Sequence, residues 1–201
     1  DFAELCFEME KRGETFAQLV PGLYREPEAS VGQHLILEVD GEIRGLLARI
    51  VTEWKVGAQT LKVGHIGSVC VAPDYREHGG MRRLMTQAME DLKQEGCALA
   101  VLSGQRQRYE HYGFVPTGIR TEFWFNRKNV KGETAKGYSL RPYEPEDLEG
   151  VRRLFERMNI YMVRSEEDFV NHLTAWSATP MVFCDETGVC GYCTLHPGEG
   201  S

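Results

Sequence analysis

The stretch Val69-Cys70-Val71-Ala72-Pro73-Asp74-Tyr75-Arg76-Glu77-His78-Gly79-Gly80-Met81 decides how the rest of the chain is read. It passes from a β-rich run into a proline break, then through polar residues to a double glycine at the head of a helix. Upstream, Leu61 to Val71 sets Val63, Ile66, Val69 and Val71 among small residues, the composition of a strand that Pro73-Asp74 stops. Downstream, Met81, Leu84, Met85, Ala88, Met89 and Leu92 recur at helical spacing, one apolar face that ends before Gly96. Cys97 to Leu102 is apolar on both faces, which predicts a buried strand parallel to the first rather than an edge strand. Strand, loop, helix and strand make a βαβ unit.

Before this unit, Phe2, Leu5, Cys6 and Met9 predict an amphipathic helix ended by Gly13, and Thr15 to Val20 a second short helix. His34 to Val39 and Ile43 to Val51 are β-rich runs joined by Asp40-Gly41, a pair that supplies positive φ for a two-residue hairpin turn. After the unit, Gln105 to Tyr112 predicts a short polar helix stopped by Gly113, and Phe114-Val115 and Ile119 to Phe125 two further strands. Residues 126–137 are polar and read as a linker. Asp185 to Tyr192 then repeats the hairpin logic of Asp40 to Leu46, with Gly191 falling 146 positions after Gly45. At the same offset Phe2, Leu5 and Met9 fall on Leu148, Val151 and Phe155. Leu140-Arg141-Pro142 is then the first strand of a second repeat whose counterpart is missing before Asp1, so the chain is expected to be a fragment.

Composition narrows the function classes. The chain has 201 residues, Lys+Arg 23 against Asp+Glu 30 and a formal net charge of -7. That balance argues against a nucleic-acid partner, which needs clustered Lys and Arg, and favours a cationic acceptor. No apolar run is long enough to span a membrane. Asp1, Glu4, Glu8 and Glu10 give the start of the chain the wrong charge for a signal peptide. Six scattered cysteines read as reduced thiols, and a cytoplasmic location follows as an expectation. Cys190 and Cys193, with Cys184 and His196, have zinc-like content. Strand residues three apart point to opposite faces, however, so structural thiols and no metal are expected. Gln105-Arg106-Gln107-Arg108 reads as a solvated charged face.

The loop before Met81 carries the chemistry. Unpaired N–H groups and the positive end of a helix dipole converge there, and Gly79 and Gly80 clear the approach for an anion. Double glycine alone also describes an ordinary strand-to-helix turn. Yet Val69 to Met81 resembles the acetyl-CoA-binding segment of the GNAT acetyltransferases, whose signature is Q/R-x-x-G-x-G/A after V-x-P-x-x-R. Arg76 and Gly79 match, and Met81 stands where the family has Gly or Ala. Tyr109-Glu110-His111-Tyr112-Gly113-Phe114 is similar to the family's Y-x-x-x-G-F element, in the right order and distance.

The resemblance covers most of residues 1–125 and implies a mixed α/β fold. Its twisted, mostly antiparallel sheet has a central splayed parallel pair and flanking helices. It further implies an acetyl-CoA-binding domain over 1–125, a linker over 126–137 and part of a second such domain over 138–201, as in the tandem acetyltransferases that include aminoglycoside-acetylating members. Acetyl-CoA would be the co-substrate and a small-molecule amine the acceptor, attacked directly, and a homo-oligomer stays open. Backbone N–H groups of Glu77, His78, Gly79, Gly80 and Met81 would hold the pyrophosphate, with Arg82, Arg83 or Arg76 on the 3′-phosphate. Val69, Cys70 and Val71 would pair with the pantetheine, and backbone N–H groups near Cys70 and Val71 would stabilise the oxyanion. Tyr109 would protonate the leaving thiolate; without the motif it reads as a half-buried packing aromatic. His65 sits where some family members carry a catalytic Glu. It is a candidate base beside the plainer reading of a hydrogen-bonded strand histidine with water taking the proton. Glu53 and Glu122 are weaker candidates. The rival function is a catalytically silent CoA-binding or regulatory module.

Overall fold

The structure is a computed structural model that describes residues 2–24, 28, 31–119 and 136–196. The opening segment forms four short helices, α1 (Phe2–Cys6), α2 (Met9–Arg12), α3 (Phe16–Leu19) and α4 (Pro21–Tyr24). The expected single first helix is broken because Glu8 adopts a left-handed φ of 55° between α1 and α2. Gly13 ends α2 as its left-handed cap. Thr15 opens α3 with a capping box, its hydroxyl accepting from Gln18 N while the Gln18 side chain accepts from Thr15 N.

Three antiparallel strands follow, β1 (His34–Val39), β2 (Glu42–Val56) and β3 (Gln59–Val71). After the loop, α5 (Gly80–Gln94) crosses back to β4 (Leu99–Leu102), which pairs parallel to β3. Leu84, Met85, Ala88 and Leu92 bury the apolar stripe of α5 against Leu47 and Ile66 of the sheet, each large side chain contributing about 1.5–3 kcal/mol relative to exposure. The helix sits close because β3 carries Gly64: a Cβ there would stand 2.4 Å from Leu92 Cδ2. β4 departs from expectation, since among the described residues it ends the sheet and Leu99 is exposed. Its double-sided apolar pattern calls for cover on both faces, and the described residues cover only part of it. Phe114-Val115 is not a strand but irregular backbone that packs Phe114 on the core. The expected strand to Phe125 and the linker up to residue 135 lie outside the described residues.

The remaining chain forms β5 (Ser139–Pro142), α7 (Leu148–Glu156), β6 (Ile160–Met162), α8 (Glu166–Leu173), β7 (Thr179–Asp185) and β8 (Gly188–Leu195). β5, β7 and β8 make a second antiparallel sheet, covered by Val151 and Phe155 of α7 and Phe169 and Leu173 of α8. The hairpin repeat holds residue for residue. Leu37 opposite Gly45, a bulge, then Glu38 opposite Ile43 recurs 146 positions later as Phe183 opposite Gly191, a bulge, then Cys184 opposite Val189. β6 does not join the second sheet but pairs with Trp54 to Val56 of β2 in the first. No helix among the described residues is long and apolar enough to cross a membrane.

Candidate active site

The strand before the loop is shaped by a bulge. Between Leu46 and Ala48 of β2 the register with β3 shifts, and Ser68 takes a φ of 49° to absorb the extra residue. The Tyr24 hydroxyl fixes it, 2.5 Å from Ser68 Oγ. On its other side β3 pairs with β4 only from Val63 opposite Leu99 to Ile66 opposite Leu102. Beyond that point Val69, Cys70 and Val71 have no strand on the β4 side among the described residues. The result is a wedge in which this edge of β3 lacks a ladder partner among the described residues.

Beyond Val71, Ala72 N still donates to Arg44 O at 2.9 Å, and Pro73 to Tyr75 makes one tight turn. Glu77 and Gly79 then both take left-handed conformations, with φ of 72° and 75°. Between them His78 stacks on Tyr75, ring centroids 4.7 Å apart, and its Nδ1 donates to Arg76 O at 2.9 Å. The two glycines serve different ends. A Cβ on Gly79 would meet nothing within 4 Å, so this glycine answers the positive φ and leaves the approach open. At Gly80 a Cβ would lie 3.0 Å from Leu37 Cδ2, so this one lets the helix end reach the sheet. The N–H groups of Gly80, Met81 and Arg82 begin α5 and have no carbonyl one turn earlier. Arg76, Arg82 and Arg83 are exposed around them and carry no ion pair among the described residues. Met81 turns into the core cluster below.

Cys70 is buried in contact with Cys6, and burial, then Cys6, pushes its thiol up to about 12. A thiol held protonated in this way is not an acyl-accepting nucleophile at neutral pH. Tyr109 lies on the short helix α6 (Arg106–Tyr109), half-buried, edge-on to Phe114 at 6.3 Å. It shares a cavity of about 210 Å³ with Ala100, Val101 and Leu102 of β4, so its ring is tied to the strand that forms one side of the wedge. Burial raises its pKa, which keeps the phenol protonated. Arg106 pairs with Glu110 at 3.1 Å on the outer, exposed face of that helix.

His65 is placed differently. Gly64 and Ile66 face α5, so His65 points to the opposite side of the sheet. Its Nε2 lies 3.2 Å from Trp54 Nε1 and 2.8 Å from Thr52 Oγ1. An indole N–H can only donate, so Nε2 accepts and the ring is neutral with its proton on Nδ1. Burial and then the Arg164 charge lower its pKa. Glu53 is exposed, and Glu122 lies outside the described residues. Among the described residues no group of three His, Cys, Asp or Glu side chains is placed to hold a metal. Cys190 is exposed with its Sγ 3.4 Å from Phe183 O, and Cys193 lines a separate cavity. Residue patterns alone miss Ser68, which Tyr24 holds, Arg164, which sits over Phe155 and Phe169, and Gly104, whose role comes from its close fit to the Tyr109 ring.

A family model described as "Acetyltransferase (GNAT) domain" matches residues 1–117. The chain belongs to the GNAT acetyltransferase family. Solved structures agree on the fold. A GCN5-related N-acetyltransferase from Anabaena variabilis is similar with a TM-score of 0.65 and 18% identity, over 96% of this chain and 49% of that one. Eis1 from Mycobacterium abscessus gives 0.56 and 15%, over 96% and 51%. Saccharomyces cerevisiae N-myristoyltransferase, solved with bound myristoyl-CoA, gives 0.56 and 13%, over 89% and 48%. This GNAT chain thus spans about half the length of these three neighbours. No curated protein matches it. The mixed fold, with a mostly antiparallel sheet and one parallel pair, β3 with β4, is that of the family.

Proposed function

We propose that the protein transfers the acetyl group of acetyl-CoA to a primary amine by direct attack in a ternary complex. The observation that carries this reading is the wedge: β3 and β4 part after Ile66 and Leu102, beside a glycine-opened helix terminus. A pantetheine arm can add to the free edge of Val69 to Val71 as a strand would, while the pyrophosphate meets the N–H groups of Glu77 to Met81. Arg82, with Arg76 or Arg83, then reaches the 3′-phosphate. The backbone beside Cys70 and Val71 receives the carbonyl oxyanion. Tyr109, kept protonated by its burial, donates to the departing thiolate. The high pKa of Cys70 favours direct attack over an acyl-cysteine. The amine proton leaves through water or His65. The lone pair of His65 Nε2 is already occupied by Trp54 and Thr52, which favours water.

In this reading residues 1–125 form the catalytic domain, 126–137 the linker and 138–201 part of a second domain of the same kind, which the residue-for-residue hairpin repeat supports. Acetyl-CoA-dependent release of free thiol in the presence of a panel of small amines tests it. Thiol release that depends on the amine is expected. CoA binding without turnover on any amine would favour the silent regulatory module instead.

A further inference from the structure

On the second sheet a cavity of about 580 Å³ opens between α8 and β8. Its walls include Phe155, Phe169, His172, Trp176 and Tyr192, with Arg164 set among them. The cavity is unusual in its charge. In a chain of net charge -7, none of its lining residues is an Asp or Glu, and Arg164 has no carboxylate within ion-pair distance among the described residues. Asp168, whose charge raises the pKa of Arg164, accepts instead from the Ser165 hydroxyl at 2.7 Å.

The guanidinium is held over the Phe155 ring at 4.7 Å and the Phe169 ring at 5.8 Å. Ring faces hold the cation in place, and among the described residues no carboxylate pairs with its N–H fork. The guanidinium is half-buried, and burial lowers its pKa. The same charge acts on His172 and helps keep that imidazole neutral. At the mouth, Trp176 is exposed and held at a left-handed φ of 60°, with its carbonyl 3.4 Å from His196 Nδ1. Non-glycine residues held in left-handed conformations cluster at active sites, ligand clamps and switch regions.

We infer that this cavity binds a small organic oxyanion, a carboxylate or phosphate monoester with a flat apolar body. The oxygens pair with the Arg164 fork and the body lies along Phe169, Leu173 and Trp176. This inference does not rest on acetyl transfer. It is tested by calorimetry on the full chain, with phenylacetate and phenyl phosphate as the two anionic probes, inorganic phosphate as the bare head group, and benzyl alcohol as the neutral counterpart. At least one of the two aromatic anions should bind at a single site about tenfold or more tighter than benzyl alcohol. Which of them binds tighter tells carboxylate from phosphate. Arg164→Gln should weaken that binding by about tenfold or more, and Arg164→Lys, which keeps the charge but loses the fork, should fall between. Failure of both aromatic anions to bind, equal binding of benzyl alcohol, or undiminished binding in a folded Arg164→Gln protein would overturn the assignment. The comparison of anionic with neutral probes uses the unmodified chain, so it decides the matter even if the variants do not fold.

Discussion

Gly104 lies against the Tyr109 ring so closely that a Cβ at position 104 would stand 2.5 Å from Tyr109 Cε2. The proposed acid is therefore held by the absence of a side chain five residues before it. Gly104→Ala should push the ring out of line and lower kcat by about 10²-fold, the scale of a misplacement near 1 Å. Because that ring packs against the core of the first sheet, the melting temperature should fall as well. Steady-state kinetics with a thermal melt on the same sample checks both.

Tyr109→Phe keeps the packing on Phe114 and removes only the proton. It should lower kcat by about 10²–10⁴-fold with little change in acetyl-CoA affinity. Turnover near that of the unmodified protein, with chemistry shown to limit the rate, would return Tyr109 to a structural role.

At the loop, Gly79→Ala meets no neighbour and suffers only the strain of its positive φ, about 1 kcal/mol. Gly79→Glu adds a negative charge where the pyrophosphate is proposed to sit and should abolish CoA binding in calorimetry. Met81→Ala should bind equally or more tightly, at some cost in core packing. Unchanged CoA affinity in a folded Gly79→Glu protein would remove the loop from the site.

His65 and His172 both have pKa values lowered by burial and by Arg164. The unfolded chain therefore binds more protons than the folded one below the unfolded value of about 6.5. Stability from these neutral imidazoles is present above that pH and is lost as pH falls through the folded values. Melting temperature should decline on acidification below about pH 6.5, and His65→Gln should flatten that slope. In the pH–rate profile, loss of the acidic limb in His65→Gln would identify His65 as the base, and its persistence would leave the proton to water.

Asp147 holds Arg141 by two hydrogen bonds of 2.6 and 2.7 Å and also accepts from Glu144 N at 2.9 Å. The Arg141 guanidinium keeps its carboxyl below the usual range. The stability it contributes is present above the ordinary carboxylate value of about 3.9 and fades as pH falls through the folded value. Asp147→Asn should lower the melting temperature at neutral pH and weaken acid sensitivity at the low end. Equal melting curves at pH 7 would show the pair to be idle.

The βαβ unit and its loop were legible because their signals are local. The stripe from Met81 to Leu92 is a period, and Asp40-Gly41 is a turn dipeptide. The repeat was legible for the same reason, since bulge and turn are written into adjacent residues. The break at Glu8 was not, because a glutamate in a left-handed conformation carries no sequence mark. Nor was the exposure of Leu99, because an apolar residue does not announce whether a neighbour arrives to cover it. The fit of Gly104 to Tyr109 and the lone charge of Arg164 depend on what folds against them. His65 was found from its position on β3, but its occupied lone pair came from Thr52 and Trp54 on the neighbouring strand.

The pairing of β6 with β2 reaches beyond its length. β2 runs on past the end of β1, and Trp54 to Val56 would otherwise offer a row of open N–H and C=O groups to any passing strand. Ile160 to Met162 occupy that row, and bonds from Gly57 N to Asn159 O and from Val163 N to Glu53 O, 2.8 Å each, close both of its ends. The later half of the chain thus supplies the cover for this stretch of the earlier half's sheet edge. An isolated 1–125 segment would carry the proposed catalytic loop intact and yet tend to stack with copies of itself, edge against edge.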